Sequence, residues 1–297
     1  MSTFLRLTPY FLYSDDLFAD TFSMKFLRFA QKFLPLLLCV NLCACNATDL
    51  PSVPNSSVPN VEEQKKDEPL PSPPKTTSEI DISHVDTQKK LVAFTFDDAP
   101  TRGLENILAV FAAYNEKNPD CIANATVFVN GCRFDPVLLY PALTLGFELG
   151  NHTFSHSDLT TLSPERLRSE IDETDALLCR LDGKTRHLLR APFGKINTAI
   201  KNLAPTPIID WTIDTLDWTK IDETEIFNRV YEGLFDGAIV LMHDGYGNTV
   251  SALKRLLPAL KADGYQVVSV SQLAKAHDCP LQSGNVYIRV RKPSERK

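Results

Sequence analysis

The sequence predicts an α/β fold, a deformed (β/α) barrel with about seven parallel strands. Short runs rich in β-branched and aromatic residues alternate with segments of helical period over roughly 190 residues, the pattern of parallel strands joined by covering helices. Such strands number fewer than the eight of a complete barrel, so irregular closure is expected. Polar and charged side chains also gather just beyond several strand ends, where open-sheet and barrel proteins place their chemistry.

The first strand is the apolar run Leu91-Val92-Ala93-Phe94-Thr95-Phe96, which ends on Asp97-Asp98-Ala99-Pro100. Leu104, Ile107, Leu108 and Phe111 then recur at helical spacing. Residues 125–129 read as a strand, 136–145 as a short helix, and 147–150 as a strand leading into His152. Ser163-Pro164 opens a longer helix, with Ser as N-cap and Pro in the first turn, and an apolar stripe of Leu167, Ile171, Leu178 and Leu181. Strands are expected at Leu188-Leu189 and at residues 207–211, 238–242 and 266–270. Helices at 223–234 and 249–262 lie between them. No internal repeat is evident.

The chain of 297 residues, 43% hydrophobic, suffices for one substantial domain, placed at 90–280, with extensions. Residues 1–45 carry a signal region: Lys25, Arg28 and Lys32, then an apolar run, then Leu42-Cys43-Ala44-Cys45. Met24 suits this signal as a start. The ending resembles a lipobox, which makes Cys45 the expected lipid anchor of an exported, membrane-anchored lipoprotein facing the cell wall or periplasm. Ordinary cleavage and an uncleaved anchor are the alternatives, although the apolar run is short for a bilayer. Residues 46–89 hold seven prolines and no Phe, Trp or Tyr, so they are expected to form a disordered linker with a reach of about 35–40 Å. The net charge of −6 argues against nucleic acid as a partner. The one basic cluster, Arg289, Arg291, Lys292, Arg296 and Lys297, falls in a 281–297 tail expected to be solvated. In an exported protein, Cys121 and Cys179 are the most plausible disulfide pair.

Chemistry concentrates at five strand ends. His152 and His156, four residues apart, can reach one cation, and an aspartate from the Asp97-Asp98 pair completes a three-ligand set with an open position. The second aspartate is left to handle protons. Arg190-Ala191-Pro192-Phe193, Asp217-Trp218 and Leu241-Met242-His243-Asp244 end three further strands. Each has a bland reading alone: Arg190 as a structural ion pair, Trp218 as core, His243 as a satisfied buried histidine. Their joint occurrence at strand ends argues for a site.

These segments, in this order, resemble the five motifs of the polysaccharide deacetylase family (NodB homology domain, carbohydrate esterase family 4), over roughly residues 90 to 276. The resemblance implies a deformed (β/α) barrel and metal-dependent removal of acetyl groups from a polysaccharide. It implies Asp98, His152 and His156 as ligands of one divalent metal, Zn²⁺ first and Co²⁺ as an alternative. Asp97 is implied as general base, Arg190 as the group that keeps it ionised, and His243 as general acid oriented by Asp217. Phe193, through its backbone N–H, is expected to steady the oxyanion, and Trp218 and Leu241 to wall a pocket for the acetyl methyl. The departure is Ala99, where the family usually has glycine; alanine restricts the backbone there.

The implied substrate is an acetylated envelope glycan, peptidoglycan or another N-acetylglucosamine polymer, with acetylxylan as the alternative. A non-catalytic glycan-binding domain is a rival, but no expected ligand, base or acid is missing. A two-His-one-carboxylate iron oxygenase is another, which the βα alternation disfavours.

Overall fold

The computed structural model describes residues 79–295. The expected signal region, including Met24 and Cys45, lies outside the described residues, as do residues 46–78 of the expected linker and Arg296 and Lys297. At the centre is β1 (Lys90–Ala99). β6 (Ala238–His243) pairs along one side of it, and β5 (Ile213–Asp214) pairs beyond β6. On the other side, β7 (Tyr265–Val268) takes the first half of β1 and β2 (Thr126–Val129) the second. β3 (Glu148–Asn151) lies beyond β2, and bridges at Leu189 carry the ring on to β4 (Ile208–Ile209) and β8 (Val286–Tyr287). All these ladders are parallel, and none among the described residues joins β4 to β5, so the barrel is deformed as expected.

The two-residue period of the strands explains how the site is built. In β1, Val92, Phe94 and Phe96 face the helices and belong to the outer core, whereas Leu91 and Ala93 belong to the inner one. The inner parity continues through Thr95 to Asp97. In β6, Ile239 is an inner residue and the same parity leads through Leu241 to His243. Phe128 of β2 is also inner, and Leu149 of β3 is outer, which turns Gly150 and His152 inward. A Cβ on Gly150 would lie 2.5 Å from the Phe128 ring, so the barrel interior requires glycine there. Alternation that fills the barrel with apolar side chains below thus delivers carboxylate and imidazole at its top.

The covering helices are α1 (Leu104–Lys117), α2 (Pro136–Thr144), α3 (Pro164–Asp182), α4 (Thr198–Leu203), α5 (Glu223–Gly233), α6 (Gly247–Ala262) and α7 (Val270–Ala276). α3 starts as expected, with the Ser163 hydroxyl accepting from the Arg166 N–H, and stops at Gly183 in the left-handed region (φ 75°). Behind it, His187 is held between two buried carboxylates, Asp175 (3.0 Å) and Asp182 (3.1 Å). Burial lowers the affinity of His187 for a proton, but the hydrogen bonds and charges of the two aspartates outweigh it and raise the pKa.

Four expectations are corrected. Residues 79–89, assigned to the linker, belong to the fold: Val85 is in the inner core cluster and the Asp86 N–H donates to Gln266. The strand expected at 266–270 stops at Val268, because Ser269 caps α7 in a reciprocal capping box with Gln272. The 281–297 tail is tied to the fold over its described part rather than free in solvent. β8 pairs with β4, Val290 is fully buried, Lys292 pairs with Asp236 at 2.8 Å, and Arg289 lies over the Phe235 ring. Cys121 and Cys179 are both free thiols. Cys121 is buried with its Sγ toward the Tyr265 carbonyl beside β7, while Cys179 sits on α3, which packs on β3.

Candidate active site

Asp97 and Asp98 close β1, and the chain turns sharply there: Asp98 takes a positive φ of 65°, and the Ala99-Pro100 bond is cis. Ala99 itself is not among the residues with positive φ, so alanine is accommodated where the family usually has glycine. His152 follows β3 directly. Thr153 (φ 66°) and His156 (φ 58°) fold the next residues back, so that both imidazoles face Asp98. These are conformations that L-residues with a Cβ adopt only when their surroundings impose them.

The three expected ligands converge. His156 Nε2 lies 3.4 Å from Asp98 Oδ1, and His152 Nε2 lies 3.9 Å from the same oxygen. In a tetrahedral site with bonds of about 2.0–2.2 Å, ligand atoms stand about 3.4 Å apart, so this donor set fits a divalent cation. The His152 Nδ1 is 2.9 Å from the Arg190 carbonyl; as the N–H donor there, it leaves the Nε2 lone pair toward the site. For His156, burial and the neighbouring His152 push the pKa down against the pull of Asp98, which favours the neutral, ligating ring.

Beside this triangle stand a carboxylate and an imidazole on adjacent strands, with Asp97 opposite His243 in the β1–β6 register. Asp97 is buried. Its Oδ1 accepts from Arg190 Nη1 at 2.8 Å, and its Oδ2 is 3.5 Å from His152 Nε2. Burial would raise its pKa, but the charge of Arg190, reinforced by His152 and His243, brings it below the ordinary carboxylate value. Arg190 is itself 1% exposed and satisfied, donating also to Thr95 Oγ1 (2.6 Å) and to the Ile209 (3.1 Å) and Asp210 (3.2 Å) carbonyls. Its guanidinium lies 4.2 Å over the Phe128 ring.

His243 is held from behind. Asp217 accepts from its Nδ1 at 2.7 Å and from its backbone N–H at 2.8 Å, and the Thr249 hydroxyl donates to the same carboxylate at 2.6 Å. Burial opposes protonation of His243, but the Asp217 hydrogen bond and the charges of Asp97, Asp217 and Asp98 raise its pKa. A raised pKa keeps the imidazolium present below that value and loses it as pH rises through it. Activity that needs His243 as an acid is therefore expected to fall on the basic side. In a pH–kcat/KM series, His243→Ala is expected to abolish that basic limb and to lower the maximum about 10²–10⁴-fold; an unchanged limb would assign it to another group.

Of the expected substrate residues, Phe193 (φ 61°) is 61% exposed and meets the His156 ring edge-on at 4.7 Å. Trp218 is 52% exposed on the turn Asp217–Thr219. Leu241 is buried on β6, in register with Thr95 and Asp214. Thr95, Asn151, Glu170 and Thr249 support the site without having been found in the sequence. Their only signal is a polar residue at a position where the pattern calls for an apolar one.

An incomplete parallel barrel that gathers a cation-sized His–His–Asp triangle, a buried ionised aspartate and a carboxylate-backed histidine at one end is suited to metal-assisted hydrolysis. The comparisons with known proteins agree. A sequence profile of the polysaccharide deacetylase family matches residues 84–206. The chain is 35% identical over 211 residues to a peptidoglycan-N-acetylglucosamine deacetylase of Bacillus cereus, covering 64% of this chain and 91% of that protein. It is 33% identical over 216 residues to a peptidoglycan-N-acetylmuramic acid deacetylase of Bacillus subtilis, covering 72% of this chain but only 44% of the longer relative. Among solved structures, a family 4 acetyl xylan esterase from Clostridium thermocellum, in complex with a cobalt ion, aligns with a TM-score of 0.61 at 28% identity, covering 68% of this chain and 99% of that one. The chain belongs to the polysaccharide deacetylase family.

Proposed function

We propose that this protein is a metal-dependent deacetylase that hydrolyses N-acetyl groups of an envelope glycan, peptidoglycan or another N-acetylglucosamine polymer, to free amine and acetate. The observation that carries the reading is the placement of Asp97 and His243 on adjacent strands beside the Asp98–His152–His156 triangle, each with a partner that sets its protonation. Asp98, His152 and His156 would hold the cation, and two imidazoles with one carboxylate suit Zn²⁺, with Co²⁺ as the alternative. When bound, such a cation supplies Lewis acidity, polarising an acyl oxygen and acidifying water. Asp97, ionised beside Arg190, accepts the proton of the attacking water. His243 delivers a proton from its Nε2 to the departing amine, while Asp217 keeps its Nδ1–H in place. The Phe193 backbone N–H is assigned to steadying the oxyanion, and Trp218 and Leu241 to walling a pocket for the acetyl methyl.

Peptidoglycan is the first substrate class because the curated relatives reported above carry peptidoglycan deacetylase names. Acetylxylan is the second reading, favoured by the similarity to the Clostridium thermocellum esterase. Acetate release by the purified protein from peptidoglycan, N-acetylglucosamine oligomers and acetylxylan, after chelation and metal restoration, tests the function. The reading fails if none of them yields acetate.

The proposal extends to location: an exported protein anchored by lipid at Cys45, working on the envelope of its own cell. Among the described residues no helix is long and apolar enough to cross a membrane. Cys45→Ser is expected to move the protein from the membrane fraction to the soluble one; unchanged retention would overturn the lipid anchor.

A further inference from the structure

The segment between the two histidine ligands is held by four of its peptide groups. The Thr153 N–H donates to Asn151 Oδ1 (2.8 Å), the Thr153 carbonyl accepts from the Gly131 N–H (3.0 Å), and the Phe154 carbonyl accepts from the Cys132 N–H (2.8 Å). Gly131 comes so close that a Cβ there would lie 2.5 Å from Thr174 Oγ1 and 2.6 Å from the Phe154 ring. The remaining hold is a charge. Glu170 of α3 accepts from the Ser155 N–H at 2.7 Å through Oε2 and from the Ser155 hydroxyl at 2.7 Å through Oε1.

Glu170 stands where stability alone would place an apolar residue. It shares the buried stripe of α3 with Leu167, Ile171 and Leu178, and it is 1% exposed. A carboxylate in such a place is unfavourable unless its oxygens are satisfied. Here they are satisfied by the Ser155 donors and by Arg166 Nη2 at 3.2 Å. Ser155 directly precedes His156, and both Thr153 and His156 have positive φ, so the loop's shape is imposed from outside.

We propose that Glu170 is a positioning residue for the metal site: through Ser155 it holds His156 in the ligating conformation and so sets the affinity for the cation. This rests on the reading of Asp98, His152 and His156 as a metal site. Groups that orient metal ligands from behind typically change metal affinity by about 10–100-fold when removed.

The test is the dissociation constant of the full-length protein for Zn²⁺, measured by chelator competition, with thermal melting of the metal-free form and the absorption spectrum of the Co²⁺-substituted form. Glu170→Ala is expected to weaken binding about 10–100-fold and to change the Co²⁺ spectrum. Glu170→Gln, which still offers an oxygen acceptor, should fall between it and wild type. Leu178→Ala, a cavity on the same helix, should lower the melting temperature and leave the dissociation constant and spectrum unchanged. If Glu170→Ala does not fold, Ser155→Ala removes only the hydroxyl arm and is expected to weaken binding severalfold. Wild-type affinity in the folded Glu170 variants, or equal weakening by Leu178→Ala, would overturn the inference and leave the site reading intact. A wild-type protein that binds no metal would overturn both.

Discussion

Asp97→Asn is expected to keep the metal and lose about 10²–10⁴-fold in turnover, the typical worth of a general base. Asparagine matches aspartate in shape and can still accept from Arg190 Nη1, so the triangle of Asp98, His152 and His156 is left undisturbed. It cannot take a proton from water. The substitution also leaves the Arg190 guanidinium, 1% exposed, without its anion. Removing one partner of a buried pair costs about 3–5 kcal/mol, moderated here by the Thr95, Ile209 and Asp210 acceptors that Arg190 retains. The rate must therefore be measured well below the variant's melting temperature, with metal content determined on the same sample. Loss of the metal, or near-normal turnover, would contradict the division of labour between the two adjacent aspartates.

The double substitution His152→Ala, His156→Ala should have the opposite signature: metal stoichiometry falls from one per chain to none, and hydrolysis falls to background. Both Nε2 atoms converge on Asp98 Oδ1, and a lone carboxylate offers too few donors to hold a transition metal against water. The metal-free variant should also melt lower, because His152 is buried with its Nδ1 bonded to the Arg190 carbonyl, whereas His156 is part-exposed beside the Phe193 ring. Elemental analysis together with melting curves separates the two effects. Equal metal content in wild type and double variant would remove the site.

Much of this was legible because strands and sites follow the same alternation. Leu91, Ala93, Thr95 and Asp97 form one inward series, and a charged residue ending an apolar run is visible in the sequence. The histidine pair, Arg190, Asp217 and His243 were legible for the same reason, each lying at or just beyond a strand end. Short ladders were harder: Leu189 contributes one residue with two isolated bridges and β4 two residues, lengths at which apolar runs carry little periodicity. The described tail misled because Arg289 and Lys292 read as solvated charges, whereas Val290 is buried and both cations find partners on the barrel. Glu170 and Asn151 showed only as polar residues at positions where the pattern calls for apolar ones. Their acceptors and donors lie in segments that only the packing of α3 on β3 brings together.

Hydrolysis of an amide on a glycan releases an acetate and an amine together, so the decisive measurement counts both products. Metal-restored protein is incubated with peptidoglycan, and released acetate and newly formed primary amine are quantified in parallel. N-deacetylation predicts one amine for each acetate, with both absent after chelation and in the double histidine variant. Acetate without amine, or with acetylxylan as the sole productive polymer, would show ester rather than amide hydrolysis and contradict the account.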